Sequence, residues 1–275
     1  MRYPSIGFRN WPYCKWDILA GIATAVAPDR SVQCERRTLR LCLSLDEACG
    51  TDQTREQFPV PETLNPVSFS SRRLGVLISG RGSNLQALIE AVRDGLLDAS
   101  IVVVISNEEG AAGLERARRA GIDVLSMSHR GWASRDDYDS ALVQQLQSRD
   151  VSLVCLAGFM RRIGRPMLEA FPNAILNIHP SLLPAFPGRD AQQLAITHGV
   201  KVSGVTVHLV TAELDAGPIV VQRVVAVHDD DTAGSLAERI LVEEHRAYPE
   251  AVKLVLDGGW TVEGRRFIHR ARCRE

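Results

Sequence analysis

The 275-residue chain is short of several things. Aromatic residues make up only 5%, too few for an aromatic-rich β-sandwich, and the plentiful Ala, Val, Leu and Ile favour a core of helices packed on sheet. Neither sign of charge is in excess. The 32 Lys and Arg against 33 Asp and Glu leave a net charge of −1, which removes the electrostatic case for nucleic acid or an anionic membrane as the main partner. No run approaches the roughly 18 apolar residues of a membrane-crossing helix. No C-x-x-C occurs among the six cysteines (14, 34, 42, 49, 155 and 273), so a zinc knuckle or a thioredoxin-type site lacks its basic unit, and nothing requires an oxidising compartment. A G-x-S-x-G elbow is missing too, which leaves a serine nucleophile without support. There is no internal repeat.

What is present is globular. Apolar residues at 45% and charged residues at 24% exclude disorder throughout or a fibrous repeat, and the length is a prior of one to two domains. Residues 1–71 show no sustained period of 2 or 3.6. Their eight basic and eight acidic residues cancel, so they are not a basic arm, and "QFPVPETLNPVSFSS" reads as a linker. A leader-like pattern (Arg2, Arg9 and Lys15, then "ILAGIATAVA" ending at Ala25-Val26-Ala27) is opposed by Asp17 and by the Gly, Ala and Thr content. The segment is expected to be a loosely ordered extension, or the product of a start placed too far upstream. The domain proper is expected over 72–275.

From Arg73 the pattern changes. "LGVLIS" is a short apolar run ending at glycine, a buried strand, and Leu85, Leu88, Ile89 and Val92 follow at helical spacing. Strands are expected at 100–106, 123–127 and 151–158, with helices over 113–121 and 135–148. Cys155, inside the fourth strand, reads as a small buried hydrophobe. Continuously apolar strands alternating with helices imply right-handed βαβ units and an open α/β, doubly wound, mostly parallel sheet of about seven strands. After the strand "AIL" (174–176) come long strand candidates at 202–210 and 219–227, with antiparallel members expected, and a final helix over 232–256.

Ligands of such sheets bind beyond the carboxyl ends of the strands, and three motifs fall there. Gly80-Arg81-Gly82-Ser83-Asn84 follows the first strand and opens a helix, where backbone N–H groups favour an anion such as phosphate. It is neither a dinucleotide fingerprint nor a Walker loop. A plain tight turn capped by Ser83 or Asn84 explains it equally well. Within "LNIHPSLLPAFPG" (176–188), Asn177 and His179 share a face of an extended segment stiffened by prolines. An imidazole beside an amide donor suits acyl chemistry, one moving protons and the other steadying an oxyanion. An isolated N-x-H is more often a capped loop with a satisfied histidine. Asp215, in "TAELDAGP" (211–218), would orient that imidazole if the fold joined them, and is otherwise a surface turn acid. A two-His, one-carboxylate metal set of His179, His208 and Asp215 is disfavoured, because His208 sits in a strand where a structural histidine is the default.

Taken together, "VLISGRGSNLQ", "LAGFMRRIG", "NIHPSLLPAFPG", "GVKVSGVTVHLV", "ELDAGPIV" and "EEHRAYP", in order over residues 73–268, resemble the folate-dependent phosphoribosylglycinamide formyltransferases. The resemblance implies a cytoplasmic enzyme of purine biosynthesis that moves a formyl group from 10-formyltetrahydrofolate, its co-substrate, to the amine of glycinamide ribonucleotide. It implies no metal, nucleic acid or membrane, and leaves a homodimer open. It implies a catalytic trio of Asn177, His179 and Asp215. It also implies substrate contacts from Gly82, Ser83, Asn84 and Glu244. Folate contacts would come from Arg135, Met160, Arg161, Arg162, Ile163, Asn177 and the loop Thr211, Ala212, Glu213, Leu214 and Asp215.

Four positions depart from the family pattern: Arg162 for an aliphatic residue, Asp190 for histidine, Leu194 for glutamine and Leu241 for a polar residue. The alternatives are a formyltetrahydrofolate deformylase, which would use water as acceptor, and a non-catalytic phosphate- or folate-binding module. The "GRGSN" loop and "HPSLLP" argue against the deformylase. The third relative, a methionyl-tRNA formyltransferase, would need an RNA-binding domain beyond residue 268.

Overall fold

A computed structural model describes residues 71–269. The expectations for the extension, its leader-like pattern and its linker lie outside the described residues.

Nine strands form one sheet in the order β3-β2-β1-β4-β5-β6-β7-β9-β8. The first five in that order are β3 (Val124–Ser126), β2 (Ser100–Ser106), β1 (Arg73–Ile78), β4 (Leu153–Leu156) and β5 (Ile175–His179), and all pair in parallel. β6 (Val202–Leu209) pairs antiparallel with β5 and with β7 (Ile219–Ala226). Strands β1 and β4 carry the centre of the core, with Leu74, Val76, Leu77, Ile78, Leu153, Val154 and Cys155 removed from solvent. Burial pushes the Cys155 thiol up to about 12, as fits a packing residue rather than a nucleophile.

The helices that return the chain are α1 (Ser83–Arg93), α2 (Ala112–Arg119), α3 (Arg135–Gln147), α4 (Arg165–Ala170), α5 (Ala191–Thr197) and α6 (Ala233–Asp257). On α3 the stripe Tyr138, Leu142 and Leu146 is fully buried, as its i, i+4 spacing predicts. The long α6 opens on a capping box between Thr232 and Ser235 and lays Leu236, Ile240, Tyr248, Val252 and Val255 on the sheet. One residue of that buried stripe is an acid, Glu244.

The sheet holds nine strands rather than about seven. The additional pair is the hairpin β8 (Trp260–Glu263) and β9 (Arg266–His269), joined at Gly264, with Trp260 fully buried and stacked on Phe267 at 5.0 Å. A glycine opening a two-residue turn was its only local signal. Helices α4 and α5 are six and seven residues long, too short for periodicity to declare them. Strand β5 continues through His179, so Asn177 and His179 stand on a strand end rather than in the loop behind it.

Strand order reverses between β1 and β4, and the chain leaves the sheet there in two glycine-bearing loops, 79–82 after β1 and 157–158 after β4. The Ser79 N–H donates to the Gly158 carbonyl (3.1 Å), and the Met160 N–H donates to the Ser79 hydroxyl oxygen (2.8 Å). These bonds hold the two loops side by side at the carboxyl edge of the sheet.

Candidate active site

The three residues of the expected trio meet. Asn177 and His179 project from alternate positions of β5, and the loop after β6 brings in Asp215. His179 is 5% exposed. Its Nε2–H donates to the Phe186 carbonyl (2.9 Å), which can only accept, and its Nδ1 faces Asp215 Oδ2 at 3.5 Å. The Phe186 carbonyl thus fixes Nε2 as a donor and leaves Nδ1 facing the carboxylate. The Gly188 N–H donates to the same Asp215 oxygen (2.7 Å) and fixes the carboxylate from the other side.

Backbone strain gathers around this cluster. Among the described residues five non-glycine positions have positive φ, and three are here: Phe186 (53°), Asp190 (59°) and Asp215 (50°). Gly217, two residues on, is required by contact. A Cβ there would lie 1.8 Å from the Leu209 carbonyl oxygen, so the turn that carries Asp215 closes only on glycine.

Sequence reasoning placed His208 as a structural histidine, and it has a more definite task. The β5–β6 register sets His208 opposite Asn177. Its Nδ1 lies 2.9 Å from the Leu209 carbonyl, so Nδ1 carries the hydrogen and Nε2 is left as an acceptor for the Asn177 amide at 3.1 Å. Burial lowers the His208 pKa and keeps the ring neutral, in the form this bond requires. One amide hydrogen of Asn177 is thereby committed and the other is free to point into the cleft. Only the cross-strand register reveals this pairing.

The cleft beside the trio has a small slot and a wide chamber. The slot, about 100 Å³, is walled by Leu156, Phe159, Arg161, Arg162 and Ile163 on one side, and by Thr211, Ala212, Glu213, Leu214 and Asp215 on the other. All of these except Leu156 and Phe159 are expected folate contacts, brought together from two loops about 50 residues apart in sequence. Met160 is not in the slot. It is 64% exposed and stands where the chamber meets its neighbouring cavities. Arg135, at the start of α3, lies in a separate cleft reached past Arg161 and Arg162. The 160–164 loop is tied down by Asp139, whose Oδ2 accepts from the Gly164 N–H (2.6 Å). The chamber, about 800 Å³, is lined by Asn177, His179 and Asp215, and it shares Gly158, Met160, Ile178, Pro180 and Gln192 with a further cavity of about 620 Å³.

That further cavity contains the anion-type loop. The N-cap of α1 is Gly82, at φ 69°, with no side-chain cap. The expectation of a cap from Ser83 or Asn84 is therefore overturned. Gly82 packs so closely on α2 that a Cβ would sit 2.6 Å from the Gly113 Cα. An uncapped helix start leaves first-turn N–H groups without intrahelical partners, facing a cavity. The Asn84 side chain points elsewhere: its Nδ2 donates to Glu244 Oε2 (2.7 Å), both residues are buried, and Asn84 Oδ1 has no partner among the described residues. Burial raises the Glu244 pKa. Leu241 lines the same cavity, one turn before Glu244.

The sequence profile described as "Formyl transferase" matches residues 72–252. The chain belongs to this family. Within it, the chain is 46% identical over 198 residues to the trifunctional purine biosynthetic protein adenosine-3 of Drosophila melanogaster, a match covering 71% of this chain and 15% of that protein. The chain thus spans under a fifth of the length of the trifunctional relatives it matches. It is 37% identical to the phosphoribosylglycinamide formyltransferase of Bacillus subtilis, over 67% of this chain and 95% of that one. Glycinamide ribonucleotide transformylase 1 of Symbiobacterium toebii superposes with a TM-score of 0.72 at 55% identity, covering 73% of this chain and 95% of that one.

Proposed function

We propose that this chain transfers the formyl group of 10-formyltetrahydrofolate to the amine of glycinamide ribonucleotide. The observation that carries the reading is one continuous cleft with the Asn177–His179–Asp215 cluster beside a small slot and an uncapped helix start at its far end.

The slot between the 160–163 and 211–215 loops takes the ring system of the formyl donor. The N–H groups at the start of α1 take the substrate phosphate, and the buried Glu244 takes a polar group of the same substrate. The substrate amine attacks the formyl carbon to give a tetrahedral oxyanion. The free amide hydrogen of Asn177 and the positive charge of cationic His179 stabilise that oxygen. Asp215 stabilises the imidazolium and orients it. Collapse of the intermediate breaks the bond from carbon to the folate nitrogen. That nitrogen gains a proton, the new amide nitrogen loses one, and His179 is placed to carry it. Holding two substrates in one cleft supplies up to about 7–11 kcal/mol when orientation is ideal. The enzyme acts in the cytoplasm, on two small molecules.

Formyl transfer measured with and without glycinamide ribonucleotide tests this. Turnover that requires the ribonucleotide is expected. Formate release to water alone would make the chain a deformylase, and no turnover would make it a binding module.

A further inference from the structure

The cavity of about 620 Å³ at the start of α1 has an unbalanced set of charges. Its ionisable lining is Arg81, Glu238 and Glu244, one cation against two carboxyl groups. A phosphate ester placed there brings up to about two further negative charges near neutral pH. The start of a helix answers only about half an elementary charge of that. The remainder falls to a side chain, and among the described residues Arg81 is the lone basic one in the lining. Helix α6 offers none. One turn before Glu244 and facing the same cavity it presents Leu241, apolar where the family has a polar residue.

Arg81 is free for the task. It is exposed, and among the described residues no carboxylate lies within 4.0 Å of its guanidinium. The exposed Arg93 and Arg119, by contrast, are paired with acids. The turn that bears Arg81 is held from behind by α2. The Gly113 N–H donates to the Gly80 carbonyl (3.0 Å), and the Arg116 Nε–H donates to the Arg81 carbonyl (3.0 Å). Both carbonyl oxygens are thereby spent on α2, and neither is left to repel an anion. Asn84, 8% exposed and lining the cavity, keeps an Oδ1 with no donor among the described residues, an acceptor suited to a hydroxyl of the same ligand. The Arg81 charge also reaches Glu244, where it opposes part of the upward push of burial on that carboxyl.

We propose that Arg81 is the side-chain anchor of the substrate phosphate, gripping it from the α1 side of the cavity in place of a polar group at position 241 of α6. Arg81 then sets the preference for a phosphorylated over a dephosphorylated acceptor. The inference rests on the ribonucleotide reading of this cavity. A guanidinium fork can meet two phosphate oxygens at once, so one arginine suffices where the opposite wall is apolar.

The test is calorimetric binding of glycinamide ribonucleotide to the full chain, with formyl transfer to the ribonucleotide and to its dephosphorylated riboside measured in parallel. In Arg81→Gln, affinity and kcat/KM for the ribonucleotide are expected to fall about thirtyfold, the scale of one charge-assisted contact, and the loss should shrink as salt is raised. The kcat at saturation, KM for the formyl donor and kcat/KM for the riboside should stay as in the wild type. Arg81→Lys should keep part of the affinity, and Leu241→Lys added to Arg81→Gln should recover part of the loss by supplying the cation from the facing helix. Arg118→Gln, on α2 and outside the cavity, should behave as the wild type. Unchanged ribonucleotide affinity in Arg81→Gln overturns the proposal. An equal loss for ribonucleotide and riboside also overturns it, since that is the mark of a damaged loop, and so does a Leu241→Lys change that recovers nothing. Ribonucleotide binding that depends on Arg81 without any formylation would leave the anchor standing and remove the enzyme reading. Formylation of the ribonucleotide that is indifferent to Arg81 would do the reverse.

Discussion

His179 is held at both nitrogens by unlike partners, a carbonyl at Nε2 and a carboxylate at Nδ1. On the proposed reaction, removing the ring deletes the group assigned to stabilise the oxyanion and carry the proton. His179→Ala is expected to lower kcat by at least about a hundredfold, with the circular-dichroism spectrum unchanged. On the same reading His208 is one step back, a positioning residue whose Nε2 lies 3.1 Å from the Asn177 amide. His208→Leu leaves the Asn177 amide without its acceptor, and kcat should fall on the order of tenfold with KM for the ribonucleotide unchanged. His208→Gln, which offers a side-chain carbonyl, should recover most of the loss. Because burial depresses the His208 pKa, the folded state disfavours its protonation. Its contribution to stability is then lost as pH falls below the ordinary histidine range, which is visible as a lower melting temperature at pH 5 than at pH 7 in wild type and a smaller drop in His208→Gln.

At the scale of elements, α1 and α6 are joined through their least expected contact, the buried Asn84–Glu244 hydrogen bond. Burial raises the Glu244 pKa, so the folded chain holds that proton to higher pH than the unfolded chain does. Stability from this group is complete below the ordinary glutamate range and is lost as pH rises through the raised value. Glu244→Gln keeps an acceptor for Asn84 and removes the charge. It is expected to raise the melting temperature at pH 8 more than at pH 4, while raising KM for glycinamide ribonucleotide severalfold. Thermal melts at the two pH values and steady-state kinetics check the two halves. An acid on an otherwise apolar helix face is not what packing alone selects there, which supports the proposed substrate contact of Glu244. The resemblance named Glu244, but helical periodicity would have passed over it. The periodic elements α1 and α3 and the apolar strands β1, β2 and β4 were legible because each declares itself within ten or so residues. The short α4 and α5 and the β8–β9 hairpin were not, because six or seven residues do not complete enough turns or alternations.

For the molecule as a whole, the described residues contain the sheet, its covering helices and every residue of the proposed site. The strand β1 begins at Arg73, and Arg72 is tied to Asp257 at the end of α6 by an ion pair of 2.8 Å. A chain beginning at Ser71 is expected to melt cooperatively and to transfer formyl groups at the full rate. Failure to fold would mean that earlier residues contribute to this domain. The cleft is a whole-molecule property as well. Strand order reverses between β1 and β4, so loops from both halves of the sheet face one another across its carboxyl edge.

From the amino-acid order alone came the alternation of strands and helices, the parallel sheet it implies, and the residue types that acyl transfer needs, because periodicity and motif are properties of short stretches. Tertiary structure decided what stands beside what. It brought Asp215 to His179 across 36 positions, set His208 against Asn177 through an antiparallel register, left the start of α1 uncapped, and gathered four arginines around one cleft. Register and loop closure depend on the summed packing of distant side chains, so no local pattern encodes them.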